Sequence, residues 1–328
     1  MDTLRPDDSG ATVRTVGALL AVVFGVAPHL LDAYYTEVVF LAMIYLILAI
    51  SWNLIAGYTG QIMLGLAGFF GLGAFMSAWL TSPSGAGLPG WLQVPGVVAI
   101  LVAGVAMAVF ALFLGPAFFR LRGHYFAIGT LALGEILRVI MENARQFSGG
   151  ATGYYITVEH SMRRYYYTVV FLLVTLFVVY YLLTSKSGLG MRAVKGDEAA
   201  ANSLGVDPLR YKLFAFVVSA FLAGVAGGLY AQYTGYINPS STLAISWTVG
   251  ALIIVVLGAQ GTVLGPFFGI IPFMVLDTLL VNVVGVLATG VEGIILILVI
   301  LFLPNGILGY VTANTRFDLF AELHEFEE

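Results

Sequence analysis

The chain contains no cysteine, so disulfide staples, thiolate nucleophiles and thiolate metal sites are excluded at the outset. Charge is almost as scarce: 10% of the 328 residues are Asp, Glu, Lys or Arg, against about 25% in soluble globular domains. Lysine occurs only at Lys186, Lys195 and Lys212, and none of these follows a glycine. The Gly-Lys-Ser/Thr end of a P-loop phosphate cradle is therefore missing, and any ATP hydrolysis linked to this chain must come from a separate subunit. The four histidines, His29, His124, His160 and His324, lack ligand spacing, which argues against a metal site. No nucleophile cluster stands out as a catalytic site, and the formal charge of -4 gives no footing for nucleic acid.

What is present is apolar surface: 60% of the residues are hydrophobic. Runs of about 20 such residues, the length that crosses roughly 30 Å of hydrocarbon, recur from end to end and make the lipid bilayer the solvent. They lie near 14–32, 37–56, 60–80, 95–119, 124–143, 165–184, 212–233, 246–259, 262–284 and 290–309. The expected fold is an all-α polytopic membrane protein of about ten hydrophobic helical segments, eight to ten of them spanning. The first is read as a retained span, since acids precede it and no small-residue cleavage site follows. The run 246–259 is short, and the next holds Gly265, Pro266, Gly269 and Pro272, so one of the two is expected to be broken or re-entrant. Nonhelical backbone at membrane depth needs protein or a wet cavity around it. The 39 glycines suit close helix packing in a bilayer.

Cytoplasmic loops carry the excess of Lys and Arg. An N-in, C-in arrangement places Arg5, Arg14, Arg120, Arg122, Lys186, Arg192, Lys195, Arg210, Lys212 and Arg316 inside, against Arg145, Arg163 and Arg164 outside. The chain then divides into a cytoplasmic arm (1–13), a transmembrane domain (14–310) with one substantial cytoplasmic loop (185–211), and an acidic cytoplasmic tail (311–328). Within that loop Asp197 caps a short helix over 198–204, which Gly205 stops and Pro208 keeps from resuming. Two readings fit the loop: a docking point for a soluble engine, or a solvated basic segment.

Ser187-Gly-Leu-Gly-Met-Arg-Ala-Val-Lys195, then Glu198-Ala-Ala200, Leu204-Gly-Val206 and Tyr211-Lys-Leu-x-Ala-Phe216, resemble the loop of branched-chain amino acid ABC transporter permeases of the LivM type. The likeness continues through Ser219–Tyr230, Tyr236-Ile-Asn-Pro239 and Val255-Val-Leu-Gly-Ala-Gln-Gly-Thr-x-x-Gly-Pro266, and upstream through Gly60-Gln-x-x-Leu-Gly65 and Leu121-Arg-Gly-x-Tyr-Phe-Ala127. It covers roughly 38–310. The resemblance implies a type II ABC-importer-like permease in the plasma membrane of a prokaryote. Its implied partners are a LivH-like permease, two ABC ATPase subunits (LivG/LivF-like) and an extracytoplasmic substrate-binding protein. This chain would bind no cofactor, ATP and Mg being used by the partners. The coupling element would comprise Arg192, Glu198, Ala199, Ala200 and Gly205. Two departures stand out: the usual histidine after Leu64-Gly65 is Leu66, and Glu198 and Gly205 are seven positions apart where the general signature has six. Related permeases carry urea or amides, so the substrate stays open. A secondary carrier remains the alternative from another class.

The motifs Gly57-x-x-Gly60 and Gly258-x-x-Gly261, each followed by a Leu-Gly and a Phe-Phe-Gly, echo one another and point to a pathway between two halves. The pathway residues suggested are Gly60, Gln61, Gly65, Glu135, Gly258, Gln260, Gly261 and Asp277. For Gln61 and Gln260 a helix-packing hydrogen bond is the rival reading, and for Glu135 an ion pair with Arg138. Asp277 lines a vestibule or marks the outer end of its span.

Overall fold

A computed structural model describes residues 6–121, 123–284 and scattered positions from 290 to 307. The expected tenth span therefore lies largely outside the described residues, and the tail 311–328, Arg5, Arg122 and Arg316 wholly so. The elements run α1 (Pro6–Leu30), α2 (Ala33–Thr59), α3 (Leu66–Thr81), α4 (Gly96–Phe118), α5 (His124–Asn143), α6 (Arg145–Ser148), β1 (Tyr154–Tyr155) and α7 (Ser161–Thr184). There follow α8 (Lys186–Gly196), α9 (Glu198–Ser203), α10 (Pro208–Thr234), β2 (Tyr236–Ile237), α11 (Pro239–Thr242), α12 (Ser246–Gly258) and α13 (Gly265–Val284). Among the described residues, six helical segments are long and apolar enough to cross a bilayer, including α2, α4, α5, α7 and α10. α3 and the described parts of α1 and α13 are shorter apolar helices. The molecule is a multi-pass membrane protein.

The bundle centres on α2 and α10, which pack against each other; α3 and α4 flank α10, and α12 and α13 flank α2. Met43, Ile44 and residues 46–49 of α2, with Phe69, Phe70 and Phe216, are completely buried. Without a hydrophobic drive between helices in lipid, close approach through small residues holds such a bundle together. Gly73 of α3 faces Gly224 of α10 so closely that a Cβ on Gly73 would lie 2.5 Å from the Gly224 Cα. The Ser51 and Ser219 hydroxyls pair at 3.0 Å in the buried α2–α10 contact, supplying the polar bond such an interface favours.

Loops gather at two ends. One end carries α8, α9 and the α2–α3, α4–α5 and α12–α13 turns; it is basic, with Arg120, Lys186, Arg192, Lys195, Arg210 and Lys212. The opposite end holds the antiparallel β1–β2 pair, with Tyr154 opposite Ile237, together with α6 and α11. Two expectations on span boundaries are corrected. Residues 60–65, read as the start of a span at 60–80, are nonhelical, and α3 begins only at Leu66. The loop 185–211 holds a second helix, α8, besides the expected α9, because Ser185 caps it through Ser187 N and Met191 and Val194 bury their side chains.

Candidate functional site

At the basic end the two glycine motifs come together around Asn53. This buried side chain of α2 donates from Nδ2 to Thr262 O at 2.8 Å and accepts from Gly261 N at 2.8 Å on Oδ1. Gly57 sits one turn on, where a Cβ would lie 2.8 Å from Gly261 N, so the α12–α13 turn rests on bare α2 backbone. Gly261 has φ 83°, and Ala259 is the one described non-glycine residue with positive φ, at 128°. That strain is held in place by contacts on every side: a Cβ on Gly258 would overlap the Gly265 carbonyl, and one on Gly269 the Ile254 carbonyl. Gln260 is exposed and Gln61 half-buried at the same end. The polar link is made by Asn53, which sequence reasoning passed over; a lone amide in an apolar span was the available signal.

α8 lies against this junction. The Arg192 guanidinium sits over the Tyr58 ring, 5.8 Å from its centroid. Lys195 runs beneath both turns: a Cβ on Gly60 would lie 3.5 Å from Lys195 Cγ, and one on Gly261 3.4 Å from Nζ. Partial burial, and then the nearby Arg192 charge, lower the Lys195 pKa from the ordinary lysine value. α9 hangs from α8. Asp197 Oδ1 accepts from Ala199 N at 2.7 Å and Ala200 N at 3.0 Å, and these bonds hold its carboxyl below the usual range. Gly205 takes φ 84° to end the helix. Glu198 forms an ion pair with Lys212 of α10, whose side chain is only 12% exposed. Ala201 is buried, whereas Ala199, Ala200, Asn202 and Ser203 face outward and Leu204 is 85% exposed. An apolar knob on a small-residue helix is a surface that fits a groove.

Beyond Gly60 the chain turns back along α2 as nonhelical backbone, and its polar groups find partners in the surrounding helices. Trp52 Nε1 donates to Met63 O at 2.8 Å, Thr130 Oγ1 of α5 accepts from Leu64 N at 3.1 Å, and Thr248 Oγ1 of α12 accepts from Ala67 N at 2.9 Å. Thr130 and Thr248 are fully buried. Gly65 packs bare against the Thr130 carbonyl. This is the arrangement a broken helix requires inside a bilayer, where water is not there to complete the bonds. Of the remaining pathway residues, Asp277 is half-buried in α13. Glu135 lies on an outward face of α5 and pairs with Arg138, which also bonds Glu142. At the opposite end a cleft of about 560 Å³ is lined by Thr81, Gln93, Glu159 and Gln232 among others. The Tyr167 hydroxyl, foremost, holds Glu159 below the usual carboxylate range, with Arg163 and Gly96 N adding to it.

Residues 34–303, which take in both glycine turns, α8 and α9, match the family described as branched-chain amino acid transport system / permease component. The chain belongs to this family. The permease protein LivM of the high-affinity branched-chain amino acid transport system of Escherichia coli (strain K12) is 32% identical over 294 residues, 79% of this chain and 67% of LivM. LivH of Salmonella typhimurium (strain LT2), a permease protein of the same kind of system, is 34% identical over 131 residues, 38% of this chain and 40% of LivH. BraD of Pseudomonas aeruginosa (strain PAO1), likewise named as a permease protein, is 35% identical over 135 residues, 39% of this chain and 42% of BraD. No solved structure matches the chain. As a permease of this family, it is a transport component in which the Asn53 junction and the α8–α9 loop form one connected unit at the basic end.

Proposed function

We propose that this permease is the membrane-spanning subunit of an ATP-driven importer of branched-chain or related hydrophobic amino acids in a prokaryotic plasma membrane. Its basic end and both termini face the cytoplasm. The observation that carries the reading is α9, an exposed helix with an apolar tip, seated through α8 on the junction that joins α2 to the α12–α13 turn. An ATPase gripping α9 would move Arg192 and Lys195, and with them the turns that hold Gly60 and Gly261. The partners are a LivH-like second permease, two LivG/LivF-like ATPase subunits that consume ATP with Mg, and an extracytoplasmic binding protein that delivers substrate to the β1–β2 end. Gly60, Gln61, Gly65, Gly258, Gln260, Gly261, Glu135 and Asp277 border the route. The broken backbone at 60–65 supports that route, since such segments cluster at transport sites.

Energetics test the reading. In vesicles holding the assembled transporter, leucine uptake should require ATP with Mg on the basic-end side and persist when a protonophore collapses the ion gradient. Uptake driven by a proton or sodium gradient without ATP would make the chain a secondary carrier.

A further inference from the structure

The cleft at the end opposite α8 and α9 has a lining that divides by chemistry: Trp91, Val94 and Val158 are apolar, whereas Thr81, Glu159 and Gln232 are polar. The segment that carries Val158 and Glu159 runs on from β1, where Ile156 N donates to Gly235 O at 2.9 Å and so ties the cleft to the end of α10. The polar side closes around Gly96, the first residue of α4. A Cβ there would lie 3.4 Å from Glu159 Oε1 and 3.4 Å from Gln232 Oε1, so two side-chain oxygens face one small space that only the missing methyl leaves open. Each oxygen is aimed from behind. Gln232 is 3% exposed; its Nε2 donates to Thr81 Oγ1 at 3.4 Å, and Thr81 directs its own proton to Ser77 O at 2.9 Å, which turns Gln232 Oε1 toward Gly96. The Tyr167 hydroxyl donates to Glu159 Oε2 at 2.6 Å and Arg163 to the same oxygen at 3.2 Å, while Oε1 accepts from Gly96 N at 3.3 Å. Capping of α4 accounts for that last bond. It does not account for Gln232 Oε1, which accepts no hydrogen bond among the described residues, although buried polar atoms are as a rule partnered.

We propose that this cleft is a receiving site for the free amino acid, with the α-ammonium group bridging Glu159 Oε1 and Gln232 Oε1 over Gly96 and the aliphatic side chain lying against Trp91, Val94 and Val158. The proposal rests on the importer reading above and adds a solute site on the permease itself. Two oxygens that face one space need a donor between them, and an ammonium offers N–H donors with no acceptor to clash. The Glu159 charge makes its share of the bridge a charge-assisted bond, stronger than a neutral one. The cleft volume of about 560 Å³ lies inside the range of small-molecule sites, roughly 300–1,000 Å³, and such sites combine apolar lining with a few convergent polar groups. No Lys or Arg lines the cleft among the described residues. The site therefore recognises the ammonium and the side chain and asks little of the carboxylate.

The test is saturation-transfer-difference NMR, which reads weak binding, on the permease in phosphatidylcholine nanodiscs with the membrane partners that co-purify and no binding protein. The probes are leucine, isoamylamine, which lacks the carboxylate, and isocaproate, which lacks the ammonium. Leucine and isoamylamine should give signals above those of empty nanodiscs, and isocaproate should not. Gly96→Ala keeps the backbone N–H and sets a methyl at ordinary contact distance from both oxygens. It should melt like the parent while leucine binds about tenfold or more weakly, the effect of losing about 1.4 kcal/mol of interaction. Glu159→Gln should weaken leucine and isoamylamine alike. The site would be overturned by an isocaproate signal equal to that of leucine, by no signal above empty nanodiscs from any probe, or by Gly96→Ala binding within about twofold of the parent. Should Gly96→Ala melt below the parent, Glu159→Gln decides, and parent-like binding there would overturn the site equally. If uptake proves independent of ATP the importer reading fails by itself, and the three probes still decide the cleft.

Discussion

Replacing Asn53 with leucine should abolish transport and lower the melting temperature of the purified permease. The side chains are close in size, so the change deletes the amide without opening a cavity. Gly261 N and Thr262 O, each bonded at 2.8 Å, lose their partner in one step. Leaving two partly buried backbone groups unsatisfied costs about 2–4 kcal/mol. The loss falls where Ala259 and Gly261 already hold positive φ values, a conformation that surrounding contacts must enforce. Asn53→Asp should be intermediate, because it keeps the acceptor for Gly261 N but not the donor to Thr262 O. Melting followed by tryptophan fluorescence, alongside uptake, reads both effects. An Asn53→Leu chain that melts and transports like the parent would remove the junction from the mechanism.

Glu198→Ala should uncouple transport while the chain still inserts in the membrane. In the folded protein Glu198 neutralises Lys212, whose side chain is nearly covered, so truncation strands a cation as well as altering the α9 surface. Discounted for the exposure of Glu198, the expected cost is about 1–2 kcal/mol, concentrated on the seating of α9. The charge exchange Glu198→Lys with Lys212→Glu separates the two roles. If the pair only holds α9 in place, the exchange restores uptake; if Glu198 also touches the ATPase, ATPase activity persists while uptake stays below about a tenth of the parent rate. Gly205→Ala should do less, since its Cβ would meet nothing within 4 Å and only the φ of 84° opposes it, at about 1–2 kcal/mol. Parent-level uptake in both Glu198→Ala and Gly205→Ala would refute the coupling role of α9.

The spans at α2, α4, α5, α7 and α10, and the short helix α9, were legible because their causes are local. Apolar runs mark a helix in lipid wherever they occur, and Asp197 and Gly205 write the start and stop of α9 in adjacent residues. Asn53, Thr130 and Thr248 were missed because their partners lie 209, 66 and 181 positions away. Hydropathy joined 60–65 to the following span because Ile62, Met63 and Leu64 are as apolar as a helix interior; the bonds from Trp52 to Met63 O and from Leu64 N to Thr130 show that neighbouring helices, not a helical ladder, satisfy the backbone there. α8 was hidden by Gly188 and Gly190, poor helix formers whose use is steric: a Cβ on Gly188 would overlap the Leu183 carbonyl, and one on Gly190 the Tyr211 ring. The Glu135–Arg138 pair followed from their spacing of three, whereas the outward direction of that face depends on where α3 and α11 pack against α5.

The central claim is that the end built from α8, α9 and the glycine turns faces the cytoplasm and seats a nucleotide-driven motor. A chain without cysteine makes a direct measurement simple: a single Leu204→Cys, at a side chain 85% exposed, labelled with a membrane-impermeant maleimide. Intact cells should leave it unmodified, inside-out vesicles should label it fully, and adding back the ATPase subunits should protect it. Labelling from outside intact cells would contradict the orientation, and full labelling in the presence of bound ATPase would contradict the seat.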